Sequence, residues 1–251
     1  MSETIPLEGL LQTRAGSLIC YPRFDFEEAE RRLRELRLLG VEALELRGRH
    51  RVNEVPVLGK GHVGVVVAAR IGGALAALKI RRIDADRCSL AAEAENLRLA
   101  NGVSVGPRLL GASANFLLME LIEGAYLADW IEGLGPSEGE LRRALRRLID
   151  KARRLDRVGL DHGELSRAQR HVFVTRGDPR IVDFESASTG RRAANVTSIV
   201  QYVYINRRMR GLVGRLMPLP ELEALLHALR RYRRSSTEED YRGLLPVCGL
   251  G

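Results

Sequence analysis

The chain has 251 residues, of which 45% are hydrophobic and 29% charged, and its formal net charge is +8. The length suits one large domain or two joined lobes, and the composition excludes a wholly disordered chain. No apolar run approaches the ~20 residues that span a bilayer, so we expect no membrane partner. Three widely separated cysteines argue against a disulfide framework or a cysteine zinc site and favour a reducing, cytoplasmic location.

The first part of the sequence, residues 1–51, is interpreted as an N-terminal extension. Apolar residues at helical spacing predict a helix over Phe26–Leu39, with Asp25 as its N-cap and Gly40 at its end. Val41–Leu46 follows as a short strand. We expect the helix to pack on the lobe that comes next.

Residues 52–123 have the pattern of a small β-rich lobe. The apolar segment Val55–Leu58 leads into a glycine loop, Gly59–Gly64, and the strand Val65–Val67 follows. A Gly72-Gly73 turn then joins a second apolar strand, Ala74–Ile80. One helix, over Ser89–Leu99, and two further apolar segments complete this lobe: Pro107–Gly111 and Phe116–Ile122.

Residues 124–251 are mainly helical, which makes the predicted fold class α+β. Glu138–Val158 has an apolar stripe on one face and arginines on the other. The other predicted elements are two strands on either side of a Gly177-Asp178 turn and two more helices: His171–Val174, Ile181-Val182, Asn195–Asn206 and Leu219–Arg231.

The glycine loop matches a phosphate-binding pattern. Gly59, Gly61, Gly64 and Val66 fit G-x-G-x-x-G-x-V. A dinucleotide-binding loop would open a helix, whereas a strand and a hairpin follow here, as in the loop that covers ATP in kinases. A glycine-rich hairpin without a ligand is the alternative.

Lysine is scarce in this chain, which has 37 arginines and only three lysines, two of them in or near the glycine loop. Lys79 lies within an apolar strand, where an unpaired ammonium group would be costly, so we expect a carboxylate partner. The helix over Ser89–Leu99 offers Glu93 and Glu95. Glu93 is favoured because Leu97, four residues later, is an apolar anchor on the same face.

From about Val55 to Ala187 the sequence resembles the protein-kinase superfamily. Phe116–Gly124 is similar to the segment that joins the two kinase lobes, and Asp161–Ser166 resembles the H-G-D-L-S loop of RIO-type kinases. Ile181–Glu185 resembles the metal-binding D-F-G segment. The chain also resembles a minimal family of predicted archaeal serine/threonine kinases with H-G-E-L-S and N-V-T stretches.

The resemblance implies a bilobal kinase-like fold, with a small β-rich N-lobe carrying one helix and a short helical C-lobe, and with ATP and Mg²⁺ as cofactors. Lys79 would hold the phosphates and pair with Glu93, Asp183 would bind the metal, and Glu164 would orient the acceptor hydroxyl. The remaining residues implied at the nucleotide cover the phosphates or offer backbone groups to adenine: Gly59, Lys60, Gly61, Gly64, Val66, Glu120 and Ile122.

Several positions depart from the kinase pattern. Glu164 stands where an aspartate is expected, and either Gln169 or His171 replaces the metal-binding asparagine. An amide oxygen suits Mg²⁺ better than an imidazole does, but the strand register favours His171. Glu185 replaces the glycine of D-F-G, and no A-P-E segment follows. We expect His162 to stabilise the loop rather than to act in catalysis.

The positive charge lies in residues 131–251, which carry 23 basic and 15 acidic side chains. Its arginine clusters are typical of solvated helix faces, or of a surface for RNA or a ribosomal partner. The sequence therefore favours a serine/threonine kinase with a protein substrate. The alternatives are a nucleotide-binding pseudokinase and an ATPase-like assembly factor acting on RNA or ribosomal particles.

Overall fold

A seven-stranded antiparallel sheet is the largest element of the structure, a computed structural model that describes residues 3–251. Its strands follow the order β1-β2-β6-β7-β9-β8, and β5 pairs with β6. The strands of this sheet are β1 (Glu3–Pro6), β2 (Ala43–Leu46), β5 (Gly59–Lys60), β6 (Gly64–Ile71), β7 (Ala74–Arg81), β8 (Leu109–Ala112) and β9 (Phe116–Glu120). A separate hairpin is formed by β3 (His50–Val52) and β4 (Val55–Val57).

Helices account for most of the rest, so the α+β class is confirmed. The helices are α1 (Phe26–Leu38), α2 (Ala91–Gly102), α3 (Leu127–Leu134), α4 (Glu138–Arg157), α5 (Asn195–Tyr204), α6 (Arg207–Val213), α7 (Leu222–Ser235) and α8 (Glu238–Val247). A second sheet contains β10 (Ala125–Tyr126), β11 (Val172–Thr175) and β12 (Asp178–Ile181), in that order. Short 3₁₀ helices cover Leu7–Gln12, Arg14–Leu18 and Leu165–Arg170.

The chain divides into two compact units. The first comprises the described residues up to Glu95 together with Arg108–Leu121, and the second comprises Asn96–Pro107 and Ile122–Gly251. The first unit contains the seven-stranded sheet, and its β1 and β2 come from the segment interpreted as an extension. Two strands of the sheet therefore lie within the described part of this segment.

The two faces of the large sheet differ, because side chains alternate along each strand. One face of β6 and β7 carries Val65, Val67, Leu78 and Ile80, which are buried in one hydrophobic cluster. The cluster also includes apolar residues of the two N-terminal 3₁₀ helices and of α1: Leu7, Leu10, Leu18, Leu33 and Leu36. The N-terminal segment thus covers one face of the sheet, as expected of its helix.

The hairpin between β6 and β7 forms where the Gly72-Gly73 pair predicts it. The register runs without interruption from Gly64 opposite Arg81 to Ile71 opposite Ala74. Both turn glycines have positive φ, at 54° and 75°, the conformation that two-residue hairpin loops need and that glycine adopts at least cost.

The second unit has helices that the sequence did not predict. Helix α4 was predicted, and a capping box of Ser137 and Glu140 begins it. Helices α3, α6 and α8 were missed because α3 and α6 span only eight and seven residues and α8 contains Pro246. Helix periodicity is hard to recognise over so few turns.

The turn before β12 was predicted one residue too late. Arg176 and Gly177, rather than Gly177 and Asp178, have positive φ, and the strand begins at Asp178 and ends at Ile181. Pro179 lies within β12, which is an edge strand, where a residue without an N–H is tolerated.

No helix in residues 3–251 combines the length and apolar character needed to cross a membrane.

A buried arginine connects α1 to the sheet. The Arg32 side chain is fully buried, pairs with Glu28 at 2.7 Å, and donates hydrogen bonds to the carbonyls of Ile19 and Arg81 at 2.8 and 2.6 Å. It also donates to Asn115 Oδ1 at 3.0 Å. Removal of the guanidinium would take this donor from the Ile19 and Arg81 carbonyls, whereas Asn115 Oδ1 and Glu28 would keep donors in Arg81 and Arg31.

We therefore expect Arg32→Met to lower the free energy of unfolding by about 2–4 kcal/mol, because two carbonyl acceptors would each lose a hydrogen-bond donor. Arg31→Met is the matched control, since the Arg31 side chain is 62% exposed and should change stability by no more than about 0.5 kcal/mol. Urea denaturation followed by circular dichroism measures both. Equal losses in the two variants would contradict this role.

Candidate functional site

The glycine loop closes as a tight hairpin in the first unit. Gly59 and Lys60 pair with Val66 and Val65, and the Gly61 N–H donates to the Gly64 carbonyl at 2.8 Å. The loop is therefore held by its own backbone bonds at the end of β6.

The three glycines of the loop have different reasons to be glycine. A Cβ at Gly64 would lie 2.8 Å from the Ile80 carbonyl oxygen and 3.1 Å from the Lys79 Cγ. Close approach of β6 to the Lys79 side chain therefore requires glycine at this position. At Gly59 and Gly61 the nearest atoms are at 3.8 and 3.5 Å, so neither close packing nor a positive φ demands glycine there.

Lys79 and Glu93 form a buried ion pair, with the partner that the sequence favours. The Lys79 Nζ donates to both Glu93 carboxylate oxygens, at 2.9 and 2.8 Å. Only 6% of the Lys79 side chain and 3% of the Glu93 side chain are exposed. Glu95, two residues further along α2, is exposed.

The Lys79 side chain lies on the sheet face opposite the N-terminal segment. Its register neighbours are Val66 on β6 and Leu117 on β9, and Ala77 and Met119 occupy the same face one pair further along. This places a lysine ammonium beside a surface of small and apolar side chains. Ala77 and Met119 were not predicted as site residues, although two-residue spacing from Lys79 and Leu117 could have identified them.

Lys60 is exposed, and its Nζ lies 5.0 Å from the centroid of the Tyr21 ring. The Arg82 guanidinium lies 5.1 Å from the same centroid. Cation–π attraction accounts for the position of Lys60 without a ligand.

Glu120 ends β9 in the first unit, and Ile122 begins a stretch of the second. The Glu120 N–H donates to the Arg108 carbonyl at 2.8 Å, and its carboxylate accepts from the Arg108 N–H at 3.0 Å. Glu120 and Ile122 are both half-buried. Because the Glu120 N–H already donates to Arg108, the backbone group of Glu120 that could contact a ligand is its carbonyl.

In the second unit, Glu164 lies at the start of the 3₁₀ helix Leu165–Arg170 and is half-buried. Its Oε1 accepts a hydrogen bond from the Ser186 hydroxyl at 3.0 Å. The segments 161–164 and 186–188 are joined by two backbone bonds between Asp161 and Ser188, at 3.0 and 2.8 Å.

His162 is fully buried and has a structural role, as expected. Its Nε2 lies 3.1 Å from the Val182 carbonyl, and its ring packs edge-on against Phe184. Burial, with a smaller contribution from nearby His171, lowers the pKa of His162 to about 4. The neutral imidazole therefore donates from Nε2 and fixes the residue that precedes Asp183.

Asp183 has a left-handed backbone, with φ of 68°. Such a conformation costs a non-glycine residue about 1–2 kcal/mol and is concentrated at functional sites. Its side chain is 44% exposed. Glu185, at the position where the resemblance implies a glycine, does not have positive φ, so a glutamate there has no conformational penalty.

His171, rather than Gln169, lies beside Asp183. The His171 Nδ1 is 3.9 Å from an Asp183 carboxylate oxygen, and it is buried without a hydrogen-bond partner among the described residues. Gln169 is exposed on the 3₁₀ helix. The amide oxygen that metal chemistry favours is therefore not the group adjacent to Asp183.

Within residues 3–251, no group of three or more His, Cys, Asp or Glu side chains is arranged to hold a metal ion. Mg²⁺ needs only one or two protein carboxylates, because water and substrate phosphates supply its other ligands. The half-exposed Asp183 carboxylate could serve as such a single protein ligand. The described residues do not form a closed structural metal site.

Asn195 anchors this loop, and the sequence did not predict that role. Its Oδ1 accepts from the His162 N–H at 2.9 Å, and its Nδ2 donates to the Leu160 carbonyl and to Asp156, each at 2.8 Å. Asp156 also accepts from the backbone N–H groups of Asn195 and Val196 at the start of α5. The only sequence signal was the N-V-T resemblance at Asn195.

No protein-family model matches the sequence, and the curated proteins give no match either. The contacts described above are therefore the basis for a functional proposal.

We expect the lowered pKa of His162 to make stability depend on pH. Because the unfolded chain binds this proton near pH 6.5 and the folded chain only near pH 4, stability should fall as the pH is lowered through that window, by up to about 3 kcal/mol. Urea denaturation at pH 7 and pH 4.5 measures the loss. In His162→Gln, which keeps an N–H donor, the loss should be smaller; an unchanged loss would contradict this origin.

Proposed function

We propose that this chain is an ATP- and Mg²⁺-dependent phosphotransferase of the bilobal protein-kinase type, acting on serine or threonine hydroxyls of a protein substrate. The Lys79–Glu93 pair carries the proposal. Apolar side chains of similar size often stabilise a core as well as a buried ion pair does, so stability alone is a weak reason to keep one. A lysine fixed beside a glycine hairpin is suited to hold phosphate oxygens.

The residues around Lys79 suit the rest of a nucleotide. The hairpin Gly59–Gly64 would cover the phosphates with its backbone, and Val66 and Ala77 offer an apolar surface to a base. The Glu120 carbonyl and the backbone of Ile122 are the groups we assign to the polar edge of adenine. Lys60, held at Tyr21, would then contribute only general positive charge.

Glu164 and Asp183 supply the carboxylates that the reaction needs. The acceptor oxygen forms a bond to the γ-phosphorus, the bond from that phosphorus to the β–γ bridging oxygen breaks, and ADP leaves. The acceptor proton passes to Glu164. Asp183 is the residue that would hold Mg²⁺, with His171 beside it. The ion, when bound, neutralises charge on the phosphate oxygens.

The glutamate at position 164 is compatible with this role. Phosphoryl transfer depends mainly on positioning and electrostatics and little on the strength of the base. A carboxylate one methylene longer therefore serves if its position is fixed, and Glu164 has a hydrogen bond that does so.

Loss of the Glu93 charge should slow phosphoryl transfer strongly. We expect Glu93→Gln to lower the rate roughly 10²–10³-fold, because Lys79 loses its charged partner and its position. Glu95→Gln is the control, with the same change on the exposed part of α2. Transfer of labelled γ-phosphate from Mg-ATP to the chain itself and to dephosphorylated casein measures both variants.

Lys79→Met combined with Glu93→Met removes the pair without leaving one buried charge, and we expect no transfer from it. Full activity in this double variant would contradict the proposal. Nucleotide binding by the wild-type chain without any transfer or hydrolysis would indicate the pseudokinase alternative instead.

An ATPase acting on RNA is the second candidate, and one surface favours it. Many arginines of the C-terminal half are used in pairs, such as Arg142 with Glu138 and Arg146 with Asp150. In residues 3–251, four exposed arginines of α4 have no salt bridge: Arg143, Arg147, Arg154 and Arg157. Their spacing puts them on one helix face, along about 21 Å.

If this arginine row binds RNA, ATP hydrolysis should be stimulated by RNA and the stimulation should weaken steeply with salt. Four phosphate contacts predict a slope of about −3 to −4 in a plot of log affinity against log salt concentration. Arg147→Gln/Arg154→Gln should reduce the slope by about two. Arg34→Gln/Arg37→Gln removes the same charge from the exposed side of α1 and should leave it unchanged. RNA-independent hydrolysis would contradict this candidate.

A further inference from the structure

We propose that Ser186 is a positioning residue that holds the Glu164 carboxylate in place for the acceptor hydroxyl; this inference rests on the proposed phosphoryl transfer. The Ser186 Oγ donates to Glu164 Oε1 at 3.0 Å. The resemblance described for the sequence assigns no role to this serine, which lies three residues after Asp183.

A glutamate at this position needs to be held. Its side chain has one more rotatable bond than aspartate, so the carboxylate can occupy more positions around the same backbone. Glu164 has φ of −116° and ψ of 0° at the start of a 3₁₀ helix, and its carbonyl accepts from the Arg167 N–H at 3.0 Å. These contacts fix the backbone but not the carboxylate.

Ser186 is held firmly enough to do this. Arg191 donates to the Ser186 carbonyl at 2.6 Å and to the Asp161 carboxylate at 2.9 Å. The backbone bridge between Asp161 and Ser188 fixes the same segment two residues later. The hydroxyl that binds Glu164 is therefore attached to a backbone with contacts on both sides.

Gly163 permits the close approach of the two segments. Its φ is 87°, and a Cβ would lie 2.6 Å from Arg191 Nη2 and 2.8 Å from the Ser186 carbonyl oxygen. Any other residue would move Glu164 away from Ser186. The loop, the arginine and the serine thus form one arrangement around the carboxylate.

The arrangement assigns separate tasks to the two carboxylate oxygens. Oε1 is bound to Ser186, which leaves Oε2 to accept the hydrogen bond of the acceptor hydroxyl. Fixing one oxygen restricts the direction from which the acceptor can approach. A misplacement of about 1 Å at such a group can cost about a hundredfold in rate.

The test compares variants of Ser186 in transfer of γ-phosphate from Mg-ATP to casein. We expect Ser186→Ala to lower kcat about ten- to a hundredfold, with the KM for ATP within about twofold of wild type, since the serine does not contact the nucleotide in this account. Thr189→Ala, an exposed position in the same segment, should retain wild-type kcat.

Two variants of equal shape separate the hydroxyl from packing. Ser186→Thr keeps the hydroxyl donor and should retain most of the activity. Ser186→Val has nearly the same shape as Ser186→Thr but lacks the hydroxyl, and it should behave like Ser186→Ala. Because both side chains are branched at Cβ and have nearly the same shape, equal losses of activity in the two variants would indicate a packing defect alone and would overturn the role.

The failure of this role can be told from the failure of the proposed function. Transfer by wild type, lost in Glu164→Gln but unchanged in Ser186→Ala, would overturn only the role of Ser186. Phosphate found on Ser186 by mass spectrometry would also overturn it, because the serine would then be an acceptor. Absence of transfer in wild type would overturn both.

Discussion

The buried ion pair between Lys79 and Glu93 is the constraint on which the account of this protein depends. Each of these buried charges depends on the other for stabilisation, since removing either leaves the other buried without this partner. The pair fixes a point on α2 against β7 and sets the ammonium beside the glycine hairpin. Gly64 allows this arrangement, because a larger residue would collide with β7 at the lysine.

The N-terminal segment covers one face of the sheet, which leaves the other face for the ion pair. The two N-terminal 3₁₀ helices and α1 cover the opposite face with leucines, and Arg32 connects α1 to the backbone of β7. The apolar core of the first unit is therefore on the side away from Lys79. In the second unit, buried His162 and Asn195 fix the loop, and the partly exposed Glu164 and Asp183 are the residues to which we assign the chemistry of the proposed reaction.

Much of this arrangement was predictable from the sequence, and what was not has physical reasons. Local signals indicated α1, the Gly72-Gly73 hairpin, and Lys79 with its partner, because each depends on nearby residues. The choice between Gln169 and His171 was not predictable, since it depends on where a 3₁₀ helix ends. Asn195 and Ser186 form hydrogen bonds with residues more than 20 positions away in the sequence. A local sequence pattern cannot predict such contacts.

The most direct measurement is a crystal structure of the chain grown with Mg²⁺ and a non-hydrolysable ATP analogue. We expect the Lys79 Nζ to lie at hydrogen-bond distance from a phosphate oxygen while it remains paired with Glu93, with the backbone of Gly59–Gly64 over the phosphates. A nucleotide bound elsewhere, with the Lys79–Glu93 pair free of phosphate contacts, would contradict it.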